Sequence, residues 1–320
     1  MKPVVVQTEE CSPVPAAWLA ERCELVVCPL GDDGLDEQLA RAEGALVRTY
    51  TVVDDAFLDL APALKVVARA GVGLDNIDVE ACRARGVEVV HTPDANTQSV
   101  VEYVVALTMD AIRPRAFLDA SMELDAWKRT RAEMSAPSQL ADLTVGILGV
   151  GRIGSRVAQV MGVLGAGEVL GHDVRDVPVT HGAEMVDRDR LLAESDILTV
   201  HVDGRSDNRR LLGTEEFEKM KPGVVFINTS RGFVVDASSC AEFLDRHEGA
   251  MALLDVHDPE PFGDQYPLLR VPNAHLAPHL ASCTVTAKEN MSWVVRDLWA
   301  VLSGGKPVHP APRFEGNARR

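Results

Sequence analysis

The sequence predicts an α/β protein built from two doubly wound parallel sheets. Three observations carry this. Apolar runs of strand length alternate with segments of helical spacing along nearly the whole chain. The alternation begins afresh near Ser99, which makes two series. The 320 residues are enough for two domains of roughly 100–200 residues each, and 46% hydrophobic content supplies their cores.

In the first series the strands are PVVVQ (3–7), ELVVC (24–28), ALV (45–47), LKVVA (64–68) and VEVV (87–90). Helical spacing fills 15–22, 35–42, 54–60 and 76–85, the last with an Asn/Asp-rich start. The second series opens on VVEYVVALTMDAI (100–112), a long apolar helix that Arg113-Pro114 should end or bend. A further helix is expected at 117–127 and a loop at 129–140. Strands ILTV (197–200), VVFI (224–227), ALL (252–254) and AHL (274–276) come next, with helices between most of them. A long helix at 286–302 and a Gly/Pro-rich extended arm at 304–320 close the chain. There is no repeat of fixed period and no low-complexity tract.

The second series is organised around LTVGILGVGRIG (143–154). An apolar strand runs into Gly149, Gly151 and Gly154, and Val157, Val160, Met161 and Leu164 then recur at helical spacing. Gly149 permits the sharp turn, Gly151 admits a pyrophosphate to the backbone, and Gly154 lets helix and strand pack closely. The helix N-terminus offers N–H groups and partial positive charge to phosphate. Such a turn alone is also a common structural device. Here a second apolar segment ends at Asp173, about 20 residues past the glycines, where a carboxylate would accept ribose hydroxyls. Dinucleotide binding is the reading these residues support. A carboxylate suits ribose hydroxyls and repels a 2′-phosphate, so NAD is expected over NADP, with Arg175 two residues on able to soften the preference.

A formal net charge of -16 argues against nucleic acid and against an anionic membrane surface. It leaves room for a small anionic substrate, since a few arginines can dominate a pocket. No apolar run approaches the ~18 residues of a membrane span, and MKPVVVQTEE is not a signal peptide. Six scattered cysteines without a CxxC pair read as reduced thiols of a cytoplasmic protein, and no Cys/His spacing suggests zinc.

Polar residues cluster after strands, where α/β folds bind ligands. Residues 69–75 (RAGVGLD) are either a backbone nest for a carboxylate or an ordinary turn and helix start. Residues 91–96 (HTPDAN) suit a hinge. Arg231 comes after VVFI among small residues, which fits an anion clamp, with a surface arginine as the alternative. Glu260 comes after ALL, and His279 after AHL. A histidine and a carboxylate at neighbouring strand ends make an acid/base pair.

With these segments in order, the chain resembles the D-isomer-specific 2-hydroxyacid dehydrogenase family, which includes D-3-phosphoglycerate dehydrogenase, glyoxylate/hydroxypyruvate reductase and D-lactate dehydrogenase. The match runs from Arg48 to about Pro307: VRT (47–49), RAGVGLDNID (69–78), TPDANTQSVVE (92–102), GILGVGRIG (146–154), KMKPGVVFINTSRG (219–232), LDVHDPEP (254–261) and PHLASCT (278–284). The resemblance implies a Rossmann cofactor domain (99–285) inserted in a flavodoxin-like substrate domain (1–98 and 286–320). It implies that Arg231 binds the substrate carboxylate and polarises the carbonyl, that His279 exchanges the proton on the substrate oxygen, and that Glu260 hydrogen-bonds the histidine. Arg152, Ile153 and Asp173 would meet pyrophosphate and ribose. Thr229 and Ser230 would line the nicotinamide, Asp255 would face its carboxamide, and His201 would border the cofactor. Val72 and Gly73 would hold the substrate carboxylate by N–H, and Arg48 and Asn96 would contact the substrate. Hydride would pass between NAD(H) and C2 of a small 2-oxo or 2-hydroxy acid. The family also implies a homodimer through the cofactor domain.

The chain departs from the family at several points. Where the family reads HxPLTxxT, residues 201–208 read HVDGRSDN. The loop at 129–140 lacks the usual glycine-rich lead, and KPVHP (306–310) replaces the common asparagine ending. His257 stands where phenylalanine is usual, and a surface or packing role is expected for it. No regulatory domain is expected after the last helix, which speaks against the long form of phosphoglycerate dehydrogenase. A related branch of the fold acts as nucleotide-sensing corepressors, and a catalytically weak binding protein of that kind is the alternative reading.

Overall fold

The computed structural model describes residues 2–177 and 182–312. The chain divides into two compact units, one of Met1–Asn96 with Ser282–Arg320 and one of Thr97–Ala281.

The first unit holds five parallel strands: β1 (Val4–Gln7), β2 (Glu24–Val27), β3 (Gly44–Val47), β4 (Val66–Arg69) and β5 (Glu88–Val90). Their order is β2-β1-β3-β4-β5, the doubly wound order of flavodoxin-like sheets, which reverses between β1 and β3. Successive residues point to opposite faces, so each strand feeds two cores. Val6, Val47, Val67 and Val89 pack with Leu39 and Phe57. Val5, Leu46, Val66 and Val90 pack with Leu19, Val295 and Leu298.

The C-terminal helix expected at 286–302 is two helices, Val285–Ser292 and Val295–Leu302. Between them the Val294 N–H bonds the Met291 carbonyl, a tighter i−3 pairing that offsets the second helix. The Trp293 ring stands edge-on to Trp18, at 6.2 Å between centroids. The chain end is the arm expected at 304–320, described to Pro312; the remainder lies outside the described residues. Pro310 bridges antiparallel to Val90, and the Asp297 carboxylate accepts the Val308 and His309 amides at 2.8 and 3.0 Å. The arm thereby covers the edge of β5.

The second unit holds seven parallel strands: β6 (Thr144–Leu148), β7 (Glu168–His172), β8 (Glu184–Met185), β9 (Ile197–Val200), β10 (Val225–Asn228), β11 (Met251–Leu254) and β12 (Ala274–Leu276). The order is β12-β11-β10-β9-β6-β7-β8, a Rossmann order reversing between β6 and β9. Short β8 has no counterpart among the expected strands; two residues carry no readable period. One face packs Val145, Ile147, Val169 and Ile197 against Val100, Val104, Val157 and Met161. The other packs Leu148, Leu198 and Phe226 against Leu191, Phe217 and Phe243. Each such buried side chain contributes roughly 1.5–3 kcal/mol.

Helix Thr97–Ile112 opens the second unit and ends ahead of Arg113-Pro114. The helix expected at 117–127 lies instead at Leu124–Glu133, so the start of the expected loop at 129–140 is helical. Phe117, Leu118 and Met122 have helical spacing but no core to face; they are exposed. Among the described residues, no helix is long and apolar enough to cross a membrane, and no group of three or more His, Cys, Asp or Glu could hold a metal ion.

Candidate active site and dinucleotide site

All second-unit site residues stand at carboxyl ends of strands or just beyond. β6 runs into the glycine turn, and Gly151 caps helix Arg152–Val163, whose first residues are Arg152, Ile153 and Gly154. Gly149 has φ +94, and a Cβ there would meet the His201 carbonyl at 2.8 Å. A Cβ on Gly154 would meet the Gly149 oxygen at 2.0 Å, so the turn and the helix could not both keep their places. At Gly151 the one atom within 4 Å of an added Cβ is Arg175 Nη2, at 3.8 Å. The chain's own packing does not require that glycine, whereas a pyrophosphate lying against the backbone does.

Asp173 comes directly after β7 with its side chain 7% exposed. Burial works to raise its carboxyl, but the Arg175 side chain and amide, with the Val150 amide, outweigh this and hold it below the usual aspartate range. His201 comes directly after β9. Its N–H bonds the Leu148 carbonyl at 2.7 Å and its Nε2 meets Thr199 Oγ1 at 3.0 Å. Burial pushes this imidazole down to about 3, so it is neutral.

β10 ends at Asn228, whose side chain shapes the next three residues. Its Oδ1 accepts the Ser230 amide and hydroxyl at 2.9 and 2.7 Å, and its Nδ2 donates to the Arg231 carbonyl at 3.0 Å. Arg231 Nη1 donates to the Ser230 carbonyl at 2.8 Å. Thr229 is 9% exposed, and its Oγ1 has no hydrogen-bond partner among the described residues. A buried hydroxyl without a partner costs about 1–3 kcal/mol, a cost that a polar ligand bonded there would remove. With the glycine turn, the helix N-terminus and Asp173, this donor set fits a dinucleotide.

Gly232 brings β10's loop against that of β11, since a Cβ on it would lie 1.9 Å from the His257 carbonyl carbon. Past β11, Asp255 is 1% exposed. Its two carboxylate oxygens accept the Leu280 and Ala281 amides at 2.7 and 2.8 Å, and its carbonyl accepts the His279 amide at 2.9 Å. Burial raises this carboxyl above its usual range, although those amides pull the other way. The expectation that Asp255 faces a carboxamide thus meets a second duty: it fixes the segment that carries His279. His279 itself sits at φ +55, a left-handed backbone uncommon for residues other than glycine.

The His279 ring meets Glu260 Oε2 through Nδ1 at 2.9 Å. The other oxygen, Oε1, accepts the His257 amide at 2.6 Å. Burial would raise the Glu260 carboxyl, but the His279 ring and the His257 amide prevail and hold it below the usual glutamate range. Glu260 is therefore ionised at neutral pH, and His279 Nδ1 carries the hydrogen. His257 is a packing residue. It is buried, stands edge-on to Phe262 and Tyr266, and donates from Nε2 to the Ala277 carbonyl at 2.9 Å.

In the first unit, Val72 and Gly73 lie in the loop after β4, and the His91 ring donates from Nδ1 to the Val72 carbonyl at 2.9 Å. Asn96 ends the segment after β5 with a buried Oδ1 that has no partner among the described residues. Arg48 lies just past β3, in a loop gathered by Glu9, which the sequence does not single out. Glu9 accepts the amides of Arg48, Thr49, Tyr50 and Thr51 at 2.9–3.1 Å and the Thr51 hydroxyl at 2.8 Å. Asn228 and Glu9 escape sequence reading because each works through backbone groups, which no motif records.

Two units of doubly wound α/β fold, one with a dinucleotide turn and an Arg–Glu–His set at adjacent strand ends, define a cofactor-dependent oxidoreductase class. The family model for the D-isomer specific 2-hydroxyacid dehydrogenase NAD binding domain matches residues 105–281. D-3-phosphoglycerate dehydrogenase of Mycobacterium tuberculosis is 37% identical over 318 residues, 98% of this chain and 59% of that one. Glyoxylate reductase of Aeropyrum pernix is 35% identical over 275 residues, 83% of this chain and 82% of that one. The structure of an NADPH-dependent glyoxylate/hydroxypyruvate reductase from Sinorhizobium meliloti, with NADP and malonate, superposes with a TM-score of 0.82 at 28% identity, covering 97% of each chain. The chain belongs to the D-isomer-specific 2-hydroxyacid dehydrogenase family. It spans little more than half the length of the phosphoglycerate dehydrogenases it matches.

Proposed function

We propose that the protein is an NAD-dependent D-2-hydroxyacid dehydrogenase that reduces a small 2-oxo acid at C2, or runs the reverse oxidation. The observation that carries this is the His279–Glu260 pair at 2.9 Å, which joins the ends of β12 and β11, with β11 next to Arg231's β10. The relatives' names, glyoxylate reductase among them, support a small 2-oxo acid as substrate. Bound NADH would supply the hydride. Arg231 draws in the substrate carboxylate and stabilises negative charge growing on the carbonyl oxygen. With Nδ1 held by Glu260, the His279 ring presents Nε2 to that oxygen and delivers the proton. Ionised Glu260 holds the ring by Nδ1 and so fixes which nitrogen faces the substrate. The glycine turn and helix N-terminus would hold the pyrophosphate, Asp173 the ribose, and Thr229 and Ser230 the nicotinamide side. In the first unit, the Val72 and Gly73 amides, Arg48 and Asn96 are the groups assigned to substrate. Asp173 favours NAD over NADP, although the Sinorhizobium meliloti relative was solved with NADP.

The test is an absorbance assay with NADH and a panel of glyoxylate, hydroxypyruvate, pyruvate, phenylpyruvate and 2-oxoglutarate. NADH should be oxidised with at least one. Pure protein that binds NADH and turns over none of them would favour the nucleotide-sensing reading. His279→Ala should lower kcat by about 10²–10⁴-fold while NADH affinity stays near wild type. Loss of both would make the histidine structural.

A further inference from the structure

We propose that Arg175 is a specificity residue for the dinucleotide: its guanidinium occupies the Asp173 carboxylate and must leave before an adenosine ribose can bind there. The inference rests on the reading of residues 149–173 as the dinucleotide site. A carboxylate offers about four acceptor directions, and all four of Asp173's are in use. Oδ1 accepts the Arg175 amide at 2.9 Å and Arg175 Nε at 3.0 Å. Oδ2 accepts the Val150 amide at 3.0 Å and Arg175 Nη2 at 3.1 Å.

Two ribose hydroxyls bring two more donors, so two of the four must give way. The Val150 amide belongs to the glycine turn, and the Arg175 amide is fixed by the backbone turn after β7. The two guanidinium bonds are different. They end a flexible side chain that is 63% exposed, and a change of rotamer breaks both. The same Nη2 is the atom nearest the open side of Gly151, so the guanidinium also lies over the approach to the glycine turn.

Asp203 already attracts Arg175. It bonds Arg205 Nε at 2.8 Å and Asn208 Nδ2 at 2.9 Å, within the 201–208 segment that departs from the family. An acid stands there in place of the family's proline, within electrostatic reach of the arginine that ribose would displace. NADH therefore binds against an internal competitor. A 2′-phosphate meets the opposite situation, because the guanidinium that obstructs a ribose is a cation for a phosphate. Arg175 narrows a preference that Asp173 alone would make steep.

The test is direct binding of NADH and NADPH, each by its own fluorescence, to the whole protein and to Arg175→Ala. An ion pair with its cation in solvent is worth a factor of roughly two to five. NADH should therefore bind Arg175→Ala about two- to fivefold more tightly and NADPH less tightly, so the ratio of the two dissociation constants widens. Arg175→Lys keeps the charge without the two-pronged pairing and should fall between. A ratio that is unchanged or narrower in Arg175→Ala overturns the inference while leaving the dinucleotide site intact. Failure of the wild-type protein to bind either cofactor overturns the dinucleotide reading, and the inference falls with it.

Discussion

The three glycines of the turn after β6 separate what a fold needs from what a ligand needs. A methyl at Gly154 would sit 2.0 Å from a backbone oxygen, and neither strand end nor helix start can move aside cheaply. A methyl at Gly151 meets open space and the tip of an exposed arginine. Gly151→Ala should therefore fold with stability within about 0.5 kcal/mol of wild type and lose most of its NADH affinity. Gly154→Ala should lose about 3 kcal/mol or more. Thermal melts and NADH titration of the two variants check this; equal destabilisation would mean that Gly151 too is a packing glycine. At this scale the sequence is informative, since the glycine spacing, Asp173, Arg231, Glu260 and His279 all announce themselves by residue type and position after a strand. It is silent on pairings that depend on rotamers. Nothing in the string D-V-R says that the arginine folds back onto the aspartate two residues before it.

Loops, rather than strands, carry what the sequence conceals among the elements. In the first unit the strand order reverses between β1 and β3, the place where doubly wound sheets bind ligands. Glu9 lies past β1 and gathers the amides of residues 48–51 after β3, while Asn76 Nδ2 donates to the carbonyls of Arg48 and Thr51 at 3.3 and 2.6 Å. Burial raises the Glu9 carboxyl, but the four amides together outweigh it and hold it below the usual glutamate range. Its charged form is thus bound in the folded state, so the stabilisation is complete above the ordinary glutamate range and fades as pH falls through the lower folded value. Glu9→Gln, which puts an NH₂ against amide donors, should cost about 2 kcal/mol at neutral pH. The gap in melting temperature from wild type should close as the solution is acidified; a gap that persists in acid would mean the charge is not what organises the loop. Sequence reasoning fails here because donors and acceptor are about forty positions apart and no period links them. It fails at 117–127 for another reason. Phe117, Leu118 and Met122 have helical spacing, but spacing alone does not say whether a face has a core to meet. It reads the strands well, because a parallel strand buried on both faces is a continuous apolar run that little else imitates.

For the whole molecule, the family implies a homodimer through the cofactor domain, and we propose that this chain forms one. The support lies on the surface of the second unit. Phe117 is 86% exposed, and Leu118, Leu124 and Trp127 are exposed with it. No residue of helix Leu124–Glu133 is fully buried among the described residues. A helix with no fully buried residue that still carries leucine and tryptophan presents apolar surface outward, and exposed apolar side chains gathered in one segment mark an association surface. A net charge of -16 works against self-association at long range, so the contact has to be apolar at its centre and should strengthen with salt. Sedimentation of the wild-type protein should give twice the chain mass, more firmly so at high ionic strength. The double variant Phe117→Ser, Trp127→Ser should sediment at the chain mass while keeping NADH affinity, because neither side chain belongs to the glycine turn or to Asp173. A wild-type protein that sediments as a single chain would remove the dimer and leave this helix without an account. A double variant that stays dimeric would place the contact elsewhere on the unit.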